Sequence, residues 1–222
     1  MKISPLVLQF SRYLKEYIIN NNENLTFKAL LKNINSYYEI SENTWNELKK
    51  ICTLLNIKKD DCITRFNEIP NEFYFVNVGL FRLYCLNEKG NEYNKSFFFE
   101  NTFPGSMVSL LKNKASNFEI QALEDSQVIH IDFKKYRELL LKYDDLKLFQ
   151  IYYLESNWLI SKDAREVDIV QKDAHERYND FLETYKEQHT RLTQYHIASH
   201  LGITPTQLSR IRKKESKINI CK

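Results

Sequence analysis

Gln194-Tyr-His-Ile-Ala-Ser-His-Leu-Gly-Ile-Thr-Pro-Thr-Gln-Leu-Ser-Arg-Ile-Arg-Lys213 is the stretch from which the rest of the chain is best understood. It reads as two helices joined by a tight turn. Apolar Ile197, Leu201, Ile203, Leu208 and Ile211 form a ladder that fills the wedge between them. Two helices crossing at about 90–120° need a small residue at closest approach and a turn residue that accepts positive φ, and Ala198 and Gly202 supply these. Thr204 is a good N-cap and Pro205 suits the first helical position, so the second helix starts at Pro205. That start presents Thr206, Gln207, Ser209, Arg210 and Lys213 outward. A helix held in this way enters the major groove of double-stranded DNA, where Arg donates two hydrogen bonds to guanine and Gln reads adenine. The candidate DNA-contacting residues are Thr193, Thr204, Thr206, Gln207, Ser209, Arg210, Lys213 and Lys214. Arg210 is the first candidate for base readout, and Lys213 and Lys214 for phosphate. A purely structural helical hairpin is the competing reading; the ladder, the caps and the local charge agree on DNA.

The charge is unevenly distributed. From Arg191 to Lys222 seven Lys or Arg face the single Glu215, a local +6 against +3 for the whole chain, which leaves the body at −3. Such a chain meets a polyanion at one end only, unless the basic end is simply a solvated tail.

Upstream, the pattern is that of an ordered protein. The 222 residues are 43% apolar, with 14 Tyr and 14 Phe but only 4 Gly and 4 Pro. Residues 1–50 read as helical, from Leu6, Phe10, Tyr13, Leu14 and Tyr17 and from a helix start at Ser41–Thr44 before Trp45, Leu48 and Ile51. From about Thr53 to Ile131 short aromatic and β-branched runs replace this period: 73–76, 80–84, 96–99, 118–122 and 128–131, with a hairpin turn at Asn87–Asn91. Their spacing predicts a small sandwich or barrel. Asp145 to Val170 then reads as one long helix, with Leu146, Phe149, Tyr153, Ile160, Val167 and Val170 on a stripe near the coiled-coil period. Dimerisation is one use for that stripe; an ordinary core helix is the other. A further amphipathic helix runs from Asp173 to about Glu187, with Ala174, Tyr178, Phe181, Leu182 and Tyr185 inward. The expected class is α+β, divided into a helical segment 1–50, a β unit with flanking helix 51–143, a dimerisation helix 144–170 and a helix-turn-helix domain 171–222.

Other chemistries find little support. Met1–Phe10 lacks a cationic start and a long apolar run, and no stretch reaches the roughly 20 apolar residues of a membrane span, so a soluble cytoplasmic protein is expected. Cys52, Cys62, Cys85 and Cys221 form no CxxC pair and are expected to be reduced thiols. His196 and His200 have a zinc-compatible spacing but no acidic partner, and a surface-facing pair on the first helix of the motif is expected instead. His130 lacks the HxH and Glu pattern of a cupin metal site. No GxSxG, P-loop, GxGxxG or Cys/His dyad is present, so no catalytic residue, metal or cofactor is expected and the chain is not read as an enzyme.

The run Leu201 to Lys214, together with Phe73–Tyr84, Gly90, Phe103-Pro104-Gly105 and Gln121–Ser126, closely resembles the cAMP receptor protein and fumarate-nitrate regulator (Crp/Fnr) family over residues 42 to 214. The resemblance implies a cyclic-nucleotide-binding-like β-roll, a long dimer helix and a C-terminal winged helix. Only Glu215–Lys222 follow the recognition helix, so a shortened wing is expected. In nucleotide-binding members the Gly matching Gly105 precedes a Glu for the ribose, and an Arg some ten residues later pairs with the phosphate; here Ser106 and Ser116 stand at those positions. Without the Arg, a bound phosphate loses a charge-assisted pair worth about 1.5–3 kcal/mol, so cAMP is not the expected ligand even with Lys112 and Lys114 nearby. The effector-pocket candidates are Gly105, Ser106, Ser116 and Asn117. The N-terminal cysteine cluster of oxygen-sensing members is missing, and Thr206 replaces a frequent Glu, so no family operator carries over. The resemblance implies a transcription regulator with double-stranded DNA and a second copy as partners, RNA polymerase and an unknown small-molecule effector as further candidates, and no membrane. The alternative is a small-molecule receptor module whose degenerate helix-turn-helix serves protein contact.

Overall fold

The computed structural model describes residues 24–160 and 172–220, with side chains as far as Lys214. The expectations for Leu6–Tyr17 and for Val167, Val170 and Cys221 lie outside the described residues. Helix α1 (24–37) leads into α2 (Glu42–Lys49), which starts as the sequence predicts: Ser41 caps it, its Oγ accepting from the Thr44 N–H at 3.2 Å. Seven strands follow: β1 (Cys52–Ile57), β2 (Cys62–Thr64), β3 (Glu72–Val78), β4 (Phe81–Leu86), β5 (Glu92–Phe98), β6 (Glu119–Ala122) and β7 (Ser126–Asp132). They form two antiparallel sheets in the orders β1-β7-β3 and β2-β6-β4-β5. The short helix α3 (Met107–Lys112) lies between β5 and β6. After the roll come α4 (Phe133–Lys142), α5 (Asp144–Leu154), a π turn (Glu155–Leu159), α6 (Ala174–Tyr185), a 3-10 turn (Lys186–Arg191), α7 (Gln194–Leu201) and α8 (Pro205–Ile220).

The apolar runs make sense once the layers are seen. Tyr74 and Val76 point into the roll with Phe81, Leu83, Ile120 and Val128. Phe73 and Phe75 point the other way, with Ile129 and Ile131, onto Leu30 and Ile34 of α1, Leu48 of α2 and Tyr136 and Leu140 of α4. The first sheet is therefore buried on both faces, which is why β3 is a continuous apolar run rather than an alternating one. Asp145 fastens this layer, accepting from the Ser41 N–H and the Thr44 hydroxyl, each at 2.8 Å. His130 lies opposite Tyr74 in the β3–β7 ladder, with Glu72 3.8 Å away.

Three expectations are corrected. Strands β1 and β2 were not legible as separate runs, because they are short and mix polar with apolar residues. The helix that begins at Asp144 is interrupted by a π turn at Glu155, and the rest of the expected helix beyond Ile160 lies outside the described residues. Leu146 and Phe149, placed by their period on a dimer stripe, are instead buried in the chain's own core, and Tyr153 packs against it. Among the described residues no helix is long and apolar enough to cross a membrane.

Candidate nucleic-acid interface

Local chemistry builds the helix pair as the sequence predicts. Thr193 caps α7, accepting from the His196 N–H at 3.3 Å. Gly202 ends it with φ +67°, a conformation in which a Cβ is strained. The Ile203 N–H closes the turn on the Ala198 carbonyl at 3.0 Å. Thr204 and Gln207 then form a reciprocal cap: the Gln207 N–H donates to Thr204 Oγ1 at 3.2 Å, and the Thr204 N–H donates to Gln207 Oε1 at 2.8 Å. Gln194, which the sequence did not mark as functional, ties the two helices by donating from Nε2 to the Pro205 carbonyl at 2.6 Å. Ile197, Ala198, Leu201 and Leu208 are buried with Tyr178 and Phe181 of α6, and Ile203 and Ile211 pack against them.

The opposite side of α8 is open. Thr206, Gln207, Ser209, Arg210, Lys213 and Lys214 are exposed, and a shallow hollow is lined by Gln194, Pro205, Thr206, Ser209, Arg210 and Lys213. The structure gives Gln207 Oε1 and the Thr193 and Thr204 hydroxyls capping tasks, which leaves Thr206, Ser209, Arg210 and the lysines as the outward set. Not all of the basic charge in this region is outward. Arg191 pairs with Glu100, at 2.8 Å, and with Glu124 on the roll, and those contacts hold its guanidinium charged. Arg212 donates to the Tyr178 hydroxyl at 3.0 Å and sits over its ring.

The helix pair is seated on the roll through β5. Ser199 Oγ donates to the Glu92 carbonyl at 2.9 Å and accepts from the Asn94 N–H at 3.1 Å. Asn94 Nδ2 donates to the His196 carbonyl at 3.1 Å. His200 Nδ1 donates to the Asn94 carbonyl at 2.9 Å, and its ring packs against Phe97, Phe181 and Tyr185. The two histidines are thus not a surface pair, because β5 covers the face they occupy. Burial and the nearby Arg82 push the His196 imidazole below the usual histidine range. Behind β5, Arg82 is buried and pairs with Glu92 at 2.5 Å, while its Nε donates to Gln121 at 2.9 Å. This docking set escaped sequence reading, because only strand register brings Asn94 and Arg82 together with α7. Among the described residues no group of His, Cys, Asp and Glu is arranged to hold a metal ion, and Cys52, Cys62 and Cys85 are free thiols.

At the expected effector position, small polar side chains bond to one another. Ser116 Oγ donates to Ser106 Oγ at 2.9 Å, Ser106 lies 3.1 Å from Ser109 Oγ, and the Phe118 N–H donates to Ser116 Oγ at 3.1 Å. Ser106 and Ser116 are buried, whereas Asn117, Lys112 and Lys114 are exposed. A Cβ on Gly105 would stand 2.8 Å from that of Phe73, which explains the glycine by close packing.

Residues 54–143 match the cyclic nucleotide-binding domain family. No curated protein sequence matches the chain. Among solved structures, FixK2 from Bradyrhizobium japonicum is similar with a TM-score of 0.65 at 18% identity, over 77% of this chain and 87% of that one. The c-di-GMP-responsive global regulator CLP of Xanthomonas campestris is similar with a TM-score of 0.65 at 13% identity, over 81% and 93%. A double mutant of CooA from Carboxydothermus hydrogenoformans is similar with a TM-score of 0.64 at 18% identity, over 85% and 84%. The shared fold is that of Crp/Fnr-type regulators: a cyclic-nucleotide-binding-type β-roll combined with helices.

Proposed function

We propose that the chain is a sequence-specific DNA-binding transcription regulator that acts as a homodimer. The observation that carries this reading is the asymmetry of α8: Leu208 is fully buried against α6 and α7, while Thr206, Ser209, Arg210 and Lys213 line an open hollow on the other side. A helix fixed by its core and presenting Arg and small polar side chains suits the major groove, with Lys213 and Lys214 toward phosphate. Self-association is supported by apolar surface at the end of the α5 region, where Leu159 and Ile160 are about two-thirds exposed (67% and 68%). Two copies place two reading helices on half-sites about one turn of DNA apart.

The roll serves regulation without a cyclic nucleotide. The Ser106–Ser116 hydrogen bond stands where a ribose carboxylate and a phosphate guanidinium are needed, and a buried phosphate without its cation is costly. Selection of bound sequences from a random DNA library tests the main proposal. A defined, two-fold-related motif is expected; recovery of random sequence would refute it.

A further inference from the structure

A cavity of about 180 Å³ lies outside the roll, between the first sheet and the helices. Its floor is apolar, with Ile34, Phe73, Phe103, Leu140 and Phe149 among its lining. Exposed Val108 and half-exposed Trp158 are at its rim. It shares no lining residue with the Ser106, Ser109 and Ser116 cluster. We propose that this cavity is a receptor site for a small amphipathic monocarboxylate, with one aromatic ring or an alkyl chain of similar bulk inside and the carboxylate at the mouth.

Size, lining and charge each narrow the occupant. A dry apolar cavity of about 150 Å³ takes up benzene, so this one accommodates a single ring with a short arm but not a nucleotide. Its aromatic walls favour edge and face contacts with a ring. The polar groups are few: the hydroxyls of Tyr136 and Tyr153, Gln150 and Arg137. Gln150 lines the cavity and accepts from the Tyr136 hydroxyl through Oε1 at 2.6 Å, which turns its amide oxygen toward Tyr136 and leaves its NH2 group able to donate. Arg137 lines the cavity, is exposed and pairs with no carboxylate among the described residues. Donors and a cation beside an apolar chamber select an anionic acceptor with an apolar body. The site also bears on a helix that departs from regular geometry: Trp158 belongs to the π turn, and such turns cluster at functional sites. Gln150, Tyr153 and Leu154 of α5 line the cavity as well, so an occupant touches the helix that leads to Leu159 and Ile160. The site does not depend on the DNA-binding reading, and its test uses no DNA.

The experiment titrates the full chain with 3-phenylpropionate and with the neutral 3-phenylpropanamide, read by calorimetry and by Trp158 fluorescence in a Trp45→Phe background. Saturable binding of one acid per chain is expected, with the amide weaker by about tenfold. Arg137→Gln, at an exposed position, should bring the acid down to the affinity of the amide. Val108→Trp, also exposed, should plug the mouth and remove both signals. The inference is overturned if neither compound gives saturable binding. It is equally overturned if acid and amide bind alike in the parent and the Arg137→Gln chain, or if Val108→Trp leaves binding intact.

Discussion

Replacing Arg82 by Met removes a charge from behind β5 while keeping most of the side-chain volume. Arg82 is 5% exposed and donates to both carboxylate oxygens of Glu92, at 2.5 and 3.2 Å, as well as to Gln121 and Asn94, with its guanidinium 3.9 Å from the Tyr84 ring centre. Breaking a buried pair by removing one partner costs about 3–5 kcal/mol. The Glu92 side chain is 26% exposed and recovers part of its hydration, so we expect about 2–3 kcal/mol. At a urea slope of about 2–3 kcal/mol per molar this lowers the unfolding midpoint by roughly 1 M at pH 7. The acid limb adds an independent signature. The hydrogen bond from Arg82 holds the Glu92 carboxyl below its usual 4.5, against the opposing effect of burial. With a depressed folded value, the unfolded chain binds more protons, so this stabilisation is present above about pH 4.5 and is lost as pH falls through the folded value. The Met variant should lack that component, and the gap between the two proteins should narrow on acidification. A midpoint shift below about 0.3 M, or a gap that stays constant down to the acid transition, would refute the reasoning.

Arg210→Ala should cost about 1–3 kcal/mol on the selected DNA site and much less on random DNA, whereas Lys214→Ala should weaken both and lower the salt slope by about one; binding isotherms at several salt concentrations separate the two. Leu159→Glu with Ile160→Glu should shift sedimentation toward monomer without unfolding the chain. Phe149→Glu, at a 3%-exposed core position, should instead lower stability by more than about 3 kcal/mol in urea. Calorimetry with cAMP and cGMP should show no micromolar binding, and a measurable heat of binding would contradict the role given to Ser106 and Ser116.

The helix pair was legible because its determinants are local: caps at Thr193 and Thr204, a positive-φ Gly202 and a ladder from Ile197 to Ile211 all lie within one short stretch. The roll was legible where strands are buried on both faces, as in 73–76, and illegible at β1 and β2, whose pairing with β7 and β6 sets them more than their own residues do. Periodicity shows that a helix face is apolar but not what covers it. That is why the stripe through Phe149 left both a partner chain and an ordinary core open, when α1 and the first sheet already enclose it. The same blindness placed His196 and His200 in solvent. Charge summed along sequence likewise counted Arg191 toward a DNA partner, although Glu100 and Glu124 neutralise it within the fold.

The seating of α7 on β5 limits how freely chains of this fold exchange parts. Ser199 satisfies the backbone of Glu92 and Asn94, and His200 fills an aromatic recess to which the roll contributes Phe97 and α6 contributes Phe181 and Tyr185. A chimera that kept this roll but took its helix pair from a relative with Ala and Leu at the matching positions would leave the Asn94 N–H without its Ser199 partner and deprive its carbonyl of the imidazole donor. The outward residues of α8 carry no such obligation. Side chains can therefore change one at a time at Thr206, Ser209 and Arg210, while the underside of α7 and the strand beneath it must change together or not at all.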